Sequence, residues 1–571
     1  MQSADTGNWQ DHIDPLTRRL LIAVGLLQGV ILYLLLERLP DTTPYALQFV
    51  FLSLSIGLPW MLTGVAQDLR DSRLWLLTGC YGLVLALVAA YTGGQCGSAP
   101  PGNCGREIVF PFIVTQTLCW CLSTIVLRAL LEQRHGVPAY PLLFKYSWHN
   151  FFVVLLTCTY LALFWIVLLL GAWLFRTVEI DLFWKTLQEP WFILPVSGAV
   201  IAYSATVVRQ RLAIVTILYR VLHTIIGGLL PMLAFISICF LMVLPFTGLQ
   251  PLWDTRISAF ILLWLAAFLL FFTNASVQYG SDQSQTAVWR PIIRTALLAL
   301  PVFLLLAGYA LWLRIDQYGL TSDRVWGVIV CLIAGGYAVC YALAIALRRE
   351  RWTNYLGRIN TSMLGVVIAV LALSNTPFLY IQKIVAGNQI ERLLSGTTSF
   401  NRFDLDYLMH NLGKPGNTAL AELVNDARFK ALAHADELAA AIAQSNAEIW
   451  MENLSVQDYI SPIPKGLRAP EKLYAALRGE LRPCMENTCH LLQLPLKKNV
   501  VNFVLVTVKY GYISGAVYQE IAGRWDVTGY IYADDEGDMD NFIAALENND
   551  IRVVEPEWNN IQIGDTRLQI R

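Results

Sequence analysis

Four of the eleven cysteines stand in two close pairs, Cys96/Cys104 and Cys484/Cys489, and each spacing suits a short-range disulfide. Disulfides persist in oxidising compartments, so the pairs are candidate bridges and mark the side of a membrane on which they lie. At the second pair His490 follows directly, which raises covalent haem attachment as an alternative. That chemistry reads C-x-x-C-H, whereas the chain has C-x-x-x-x-C-H with no second motif. A local bridge is therefore the expectation, ahead of haem or a metal site. The other seven cysteines, Cys80, Cys119, Cys121, Cys158, Cys239, Cys331 and Cys340, fall in apolar runs, where a small thiol ordinarily serves packing.

Acids and bases near a membrane interface are the equipment of embedded transferases. Glu37 and Asp41 share one polar loop, and Glu179 and Asp181 another. An acidic pair in a solvated loop is ordinarily just solvated. His149 has the type of a general base but no partner acid, so it reads as an interfacial anchor; His434 is expected on a helix surface. Asp534, Asp535, Glu536, Asp538 and Asp540 have the oxygen density for Ca²⁺. They lack the EF-hand glycine and terminal glutamate, and acids there suit the start of a helix. No G-x-x-x-x-G-K-[ST] loop, no G-x-G-x-x-G after a strand, and no G-x-S-x-G or S-x-x-K pattern occurs. No catalytic, cofactor-binding or metal-ligating residue is assigned and no cofactor is expected. Nucleotide is set aside, as is nucleic acid, because no basic block with interleaved aromatics occurs.

The elements that must carry these residues follow from composition. The 571 residues are 56% hydrophobic and 15% charged, against roughly 25% charged in ordinary soluble domains. Up to about Ile384 the chain is a series of apolar runs long enough to cross a bilayer as helices. Eleven spans are expected: 20–36, 45–66, 74–93, 109–131, 151–175, 191–208, 223–246, 257–275, 292–313, 326–347 and 362–381. Trp60, Trp75, Trp191 and Trp326 lie toward their ends, where amphipathic rings sit at headgroup level. The run from Arg211 to Phe246 is too long for one span and has no polar hairpin for two. Residues 212–222 are expected as a lead-in helix, because a two-span reading puts Arg220 mid-membrane. No Asp or Glu stands in the middle of any span. Gly57–Pro59 and Gly227–Pro231 suggest kinks or close packing, as Gly335–Gly336 suggests a helix contact. Asp323 is expected to cap the helix entering at Trp326, with Ser322 or Thr321 as alternatives.

Basic residues are segregated. With the N-terminus inside, one set of loops holds Arg18, Arg19, Arg70, Arg73, Arg209, Arg211, Arg348, Arg351 and Arg358 among others, and the opposite set fewer. The positive-inside rule with an odd number of spans then delivers the C-terminus outside. The first span, followed by no small-residue cleavage site, is expected as an uncleaved signal-anchor. Both cysteine pairs fall on that same side. Beyond residue 384 the composition is ordinary. Helical periodicity covers 387–396, 403–411, 417–429 and 434–449. After Pro483 the period changes to two, over 500–508, 512–521 and 525–533. Residues 538–547 read as a helix, 552–554 as a strand, and 560–563 with 567–570 as a hairpin. The expected fold is a polytopic α-helical membrane protein of about eleven spans with a C-terminal soluble α+β domain. Residues 1–383 form the membrane part and 384–571 the soluble one, helical over 384–483 and a small, mainly antiparallel sheet over 484–571.

The stretch from Tyr318 to Trp352 (YGLTSDRVWGVIVCLIAGGYAVCYALAIALRRERW) resembles a signature region of the DUF4153 membrane proteins. So do SNTPFLYIQKIVAGNQIERLLSG, which follows it, and FDLDYLMHNLGKPGNTALAEL from Phe403 to Leu423. The resemblance covers about residues 315–425 and implies a bacterial inner-membrane location; it brings no catalytic residues. Phe403–Leu423 reads as two short helices broken at Gly413–Gly416, a hinge suited to docking an outer domain. The expected function is an envelope interaction, sensing or scaffold protein whose periplasmic domain binds a protein or small ligand, with membrane lipid as its surroundings. A transporter or lipid-linked transferase is the alternative, since an anchor alone needs only one span.

Overall fold

The computed structural model describes residues 13–40, 43–96, 104–133, 136–255, 257–277, 289–348, 351–432, 435–443, 456–464 and 466–477. Beyond these it describes 484, 488–497, 500–509, 512–521, 524–532, 542, 544–546, 548, 550–553, 561–563 and 566–568. Among them, eleven helices are long and apolar enough to cross a membrane. They are α1 Pro15–Glu37, α2 Tyr45–Val65, α3 Ser72–Gly93, α4 Arg106–Gln133, α5 Tyr140–Arg176, α6 Pro190–Gln210, α7 Leu212–Thr247, α8 Ser258–Ser276, α9 Trp289–Tyr318, α10 Ser322–Arg348 and α11 Thr353–Leu373. Helix α12, Ile381–Leu394, follows.

Local chemistry sets the ends of these helices. The Asp14 carboxylate accepts from the backbone N–H of Leu16 and Thr17 at 3.0 and 3.2 Å, and Pro15 opens α1 where its missing N–H costs nothing. Asp71 does the same for α3 through the Arg73 N–H at 2.9 Å. At α10 the expectation needs correcting. The Thr321 hydroxyl accepts from the Arg324 N–H at 3.4 Å, and Asp323 lies inside the first turn. There its charge complements the helix dipole while the preceding threonine makes the cap.

Helix α7 is one continuous helix of 36 residues, in line with a lead-in running into a single span. Helix α5 has 37 residues and starts eleven residues before the expected span, at Tyr140. Lys145 and His149 interrupt the apolar run there without interrupting the helix, because each faces a partner on α4. Lys145 Nζ lies 3.6 Å from Glu132, and His149 meets Arg128.

Outward faces are apolar, with Leu76, Leu87, Leu170 and Leu305 exposed, as a lipid-facing helix requires. Interiors use small residues and large aliphatics. Ala266, Leu297, Leu300 and Ala338 are completely buried where α7, α8, α9 and α10 meet. Helices α1 and α6 meet backbone to backbone. A Cβ placed on Gly25 would strike the Gly198 carbonyl and the Ala202 methyl, and one on Gly29 would strike the Leu194 carbonyl. Glycine is required at these positions because backbone lies against backbone.

The chain divides into two compact units, residues 1–392 with 406–423, and residues 393–405 with 424–571. The second carries a five-stranded sheet in the order β1–β2–β3–β4–β5. Its strands are β1 Ile460–Ile463, β2 Thr488–Lys497, β3 Val500–Lys509, β4 Tyr512–Ile521 and β5 Arg524–Tyr532. The sheet is mixed: β1 runs parallel to β2 and the other pairs are antiparallel. Both faces are covered. Leu473 and Leu477 pack against Leu491, Phe503 and Leu505 on one face; Leu546 and Phe542 pack against Val504 and Val506 on the other. Coverage on both sides explains why β3 reads as a nearly unbroken apolar run. Strands β6 Ile561–Ile563 and β7 Thr566–Leu568 pair as the expected hairpin. Residues 551–553 form no strand, and of the helix expected over 538–547 only 542 and 544–546 are described, as helix.

Candidate functional site

Hydrogen bonds define the two ends of the helical unit. At one end Cys96 and Cys104 are joined, with their Cα atoms 4.7 Å apart, between α3 and α4. The segment 406–423 is fastened to this end. The Lys414 N–H donates to the Gln95 carbonyl at 2.9 Å, and Gly105 lies so close to the Asn411 carbonyl that no side chain fits between them. Gly413 takes a left-handed conformation, φ 61°, that glycine alone adopts without penalty. The Ser322 N–H donates to the Tyr407 hydroxyl at 3.2 Å. Asn388 accepts from the Leu320 N–H at 2.8 Å, Gln389 donates to the Leu320 carbonyl at 2.6 Å, and Gln382 donates to the Glu107 carbonyl at 2.9 Å. The Tyr380 hydroxyl donates to Gln95. Burial holds the phenols of Tyr380 and Tyr407 above the usual tyrosine range.

At the opposite end, polar side chains from four helices meet. The Tyr341 hydroxyl lies 2.7 Å from Oδ1 of both Asn274 and Asn360, and Asn360 Nδ2 donates to Asn274 at 2.6 Å and to the Tyr140 hydroxyl at 3.0 Å. Nearby, Arg128 Nη1 stands 2.9 Å from His149 Nδ1, with the guanidinium 4.5 Å over the Tyr146 ring. A guanidinium only donates, so Nδ1 is the acceptor and a neutral imidazole carries its proton on Nε2. His149 is 2% exposed; it is a buried partner of Arg128 rather than an interfacial anchor. Arg209, 1% exposed, donates to the Thr63 carbonyl at 2.5 Å.

The other sequence candidates stay apart from these groups. Glu37 ends α1. Asp181 lies 3.8 Å from Arg176, and Glu179 has a left-handed backbone, φ 64°. Asp41, His434 and the acidic residues 534–540 lie outside the described residues. Cys484 and Cys489 are joined, with Cα atoms 5.4 Å apart, inside the apolar cluster on one face of the sheet. Among the described residues, no group of three or more His, Cys, Asp or Glu side chains converges as a metal site. Sequence reading missed Arg128 and Asn274, although each is a polar residue within an expected span, which is a usable signal; Asn360 precedes the expected span 362–381 and gave none.

Among the described residues, eleven helices with the length and composition to cross a membrane, followed by a region with its own sheet, are the features of a multi-pass membrane protein with a C-terminal appendage. Within that class the family model of the domain of unknown function DUF4153 matches residues 49–423, and the chain belongs to that family. The match ends at the residue where the helical unit ends, so the fastening segment 406–423 belongs to the family's portion and the sheet lies beyond it. No curated protein and no solved structure matches the chain.

Proposed function

We propose that this is an envelope scaffold or sensing protein of a bacterial inner membrane, whose helical unit serves as a platform for a periplasmic, ligand- or partner-binding C-terminal region. The observation that carries this reading is the fastening of residues 406–423 onto the Cys96–Cys104 end. Tyr407, Lys414 and Gly413 are spent on holding the chain where it leaves the spans. A carrier needs no such clamp, whereas a platform does. The packing of Ala266, Leu297, Leu300 and Ala338 favours the same reading, because these helices meet through apolar contacts.

Sidedness follows from charge and thiols together. Arg18, Arg70, Arg73, Arg209, Arg348 and Arg358 gather at the end opposite the cysteine pair, which the positive-inside rule assigns to the cytoplasm. An odd number of spans then exports the C-terminal region, where a Cys484–Cys489 bridge is stable. The buried Arg128–His149 pair and the Tyr341–Asn274–Asn360–Tyr140 cluster favour the second reading, a transporter or lipid-linked transferase. A cryo-electron microscopy map of the purified full chain distinguishes the two. A closed apolar cluster among α7, α8, α9 and α10 supports the platform; a continuous polar path with sugar- or lipid-like density between the spans replaces it with transport or transfer.

A further inference from the structure

Where α5 and α11 begin side by side, the structure has a cleft of about 540 Å³, within the roughly 300–1,000 Å³ usual for small-ligand sites. One wall is Pro138, Tyr140 and Pro141. The other is built by the opening turns of α11, which present two rows at a spacing of four residues: Thr353, Gly357 and Thr361, and beside them Asn354, Arg358 and Ser362. The walls are held in place. Gly357 has no side chain, which lets α11 lie against the Tyr140 ring; a Cβ there would be 3.0 Å from ring carbon Cδ1. The Tyr140 hydroxyl is fixed by Asn360 from the same helix at 3.0 Å.

The lining sets hydroxyl and amide side chains and one cation, with no carboxylate, against apolar proline and ring surface. Arg358 is exposed, and among the described residues it makes no ion pair, hydrogen bond or ring contact, in contrast to Arg348, which stacks 4.9 Å over Tyr355. An unengaged guanidinium with hydroxyl and amide neighbours is the chemistry that recognises a phosphate. The row through Asn354, Arg358 and Ser362 continues one turn further to Val366, exposed and apolar. Polar at the helix start and apolar toward its middle, this row matches a molecule with an anionic head and a hydrocarbon tail better than a free anion.

We propose that this cleft binds the phosphodiester headgroup of an anionic membrane lipid, with Arg358 paired to the phosphate, Asn354 and Ser362 bonded to its oxygens, and an acyl chain over Val366. The site is independent of the platform reading and of the sidedness, since it needs only a bilayer around the helices. The test is the thermal unfolding midpoint of the purified full chain in detergent, titrated with phosphatidylglycerol, phosphatidylcholine or inorganic phosphate. Phosphatidylglycerol raises the wild-type midpoint at lower concentration than phosphatidylcholine. R358Q weakens that response by about tenfold or more, the scale of a hydrogen bond to a charged group. S362W fills the cleft with the charge intact and has the same effect, while R351Q, which removes an exposed charge outside the lining, leaves the response unchanged. Equal responses to the two lipids, an unaltered R358Q or S362W, or a loss in R351Q as large as in R358Q overturns the site. A shift reproduced by inorganic phosphate alone overturns the lipid and leaves a soluble-anion site.

Discussion

Replacing Gly198 by leucine tests the packing of the helical unit where it is least tolerant. A Cβ at this position would strike the Gly25 carbonyl and stand 3.4 Å from the Gly29 nitrogen. The obstacle is the backbone of α1, so no rotamer change relieves it and α1 must move away from α6. Overpacking costs about 1–3 kcal/mol where side chains can adjust; here the upper end, about 3 kcal/mol, applies. Moving α1 also strains the Gln210 bond to the Ile13 carbonyl, 3.3 Å. By extension of the size scaling, a unit this large loses roughly 1–2 °C in Tm per kcal/mol, so a fall of about 3–6 °C is expected. The assay is thermal unfolding in detergent followed by fluorescence-detected size exclusion. Gly171→Leu is the matched control, since a Cβ at Gly171 meets nothing within 4 Å and the change should stay within about 0.5 kcal/mol. Equal Tm values for Gly198→Leu and Gly171→Leu would refute the backbone contact.

Three further outcomes are expected. Asn360→Leu removes the group bridging Tyr140, Tyr341 and Asn274 and leaves buried polar atoms short of partners, costing about 1–3 kcal/mol; a Tm equal to wild type would show that the cluster contributes nothing. Tyr407→Phe loses the acceptor for the Ser322 N–H, about 1 kcal/mol. Because the folded Tyr407 pKa is raised by burial, its contribution is complete below the unfolded value, about 10, and declines as pH rises through the folded one. Wild-type Tm should therefore fall more steeply than that of Tyr407→Phe above about pH 10, and parallel curves would contradict the burial. Cys484→Ser opens a short loop, worth about 2 kcal/mol on the chain-entropy scale; reductant should lower wild-type stability of the C-terminal region and leave the variant's unchanged.

The helical part was largely legible because hydrocarbon imposes a long uniform signal. Ten expected spans lie within their helices to a few residues, whereas the eleventh, expected at 362–381, is the helix Thr353–Leu373. Errors fall where polar residues sit on helices, as at Lys145 and His149 in α5 and at Arg358 and Asn360 in α11. They fall also where apolar residues continue past a helix end, as at Pro377–Leu379. The contact between α1 and α6 was written in the Gly25-Leu-Leu-Gln-Gly29 spacing and passed over. Residues 500–532 announced three strands through their β-branched and aromatic residues between short Gly-containing turns. Strands β1 and β2 did not, because Pro462 and Pro495 lie in them and β1 pairs with a partner 29 residues away, Ile460 with Cys489. The polar clusters were invisible for a similar reason: Tyr140, Asn274, Tyr341 and Asn360 stand on four helices, and only tertiary packing makes them neighbours. The disulfide candidates were visible as spacings, but their surroundings, a clamped helix end for one and an apolar cluster for the other, were not.

Sidedness is tested most directly by fusing, after Arg571, a reporter that gains activity only after export from the cytoplasm, beside a second fusion truncated after Arg348. Activity for the full-length fusion and none for the truncated one is the expected pair of results. The reverse pair would place the cysteine-bearing end in the cytoplasm and remove the periplasmic platform.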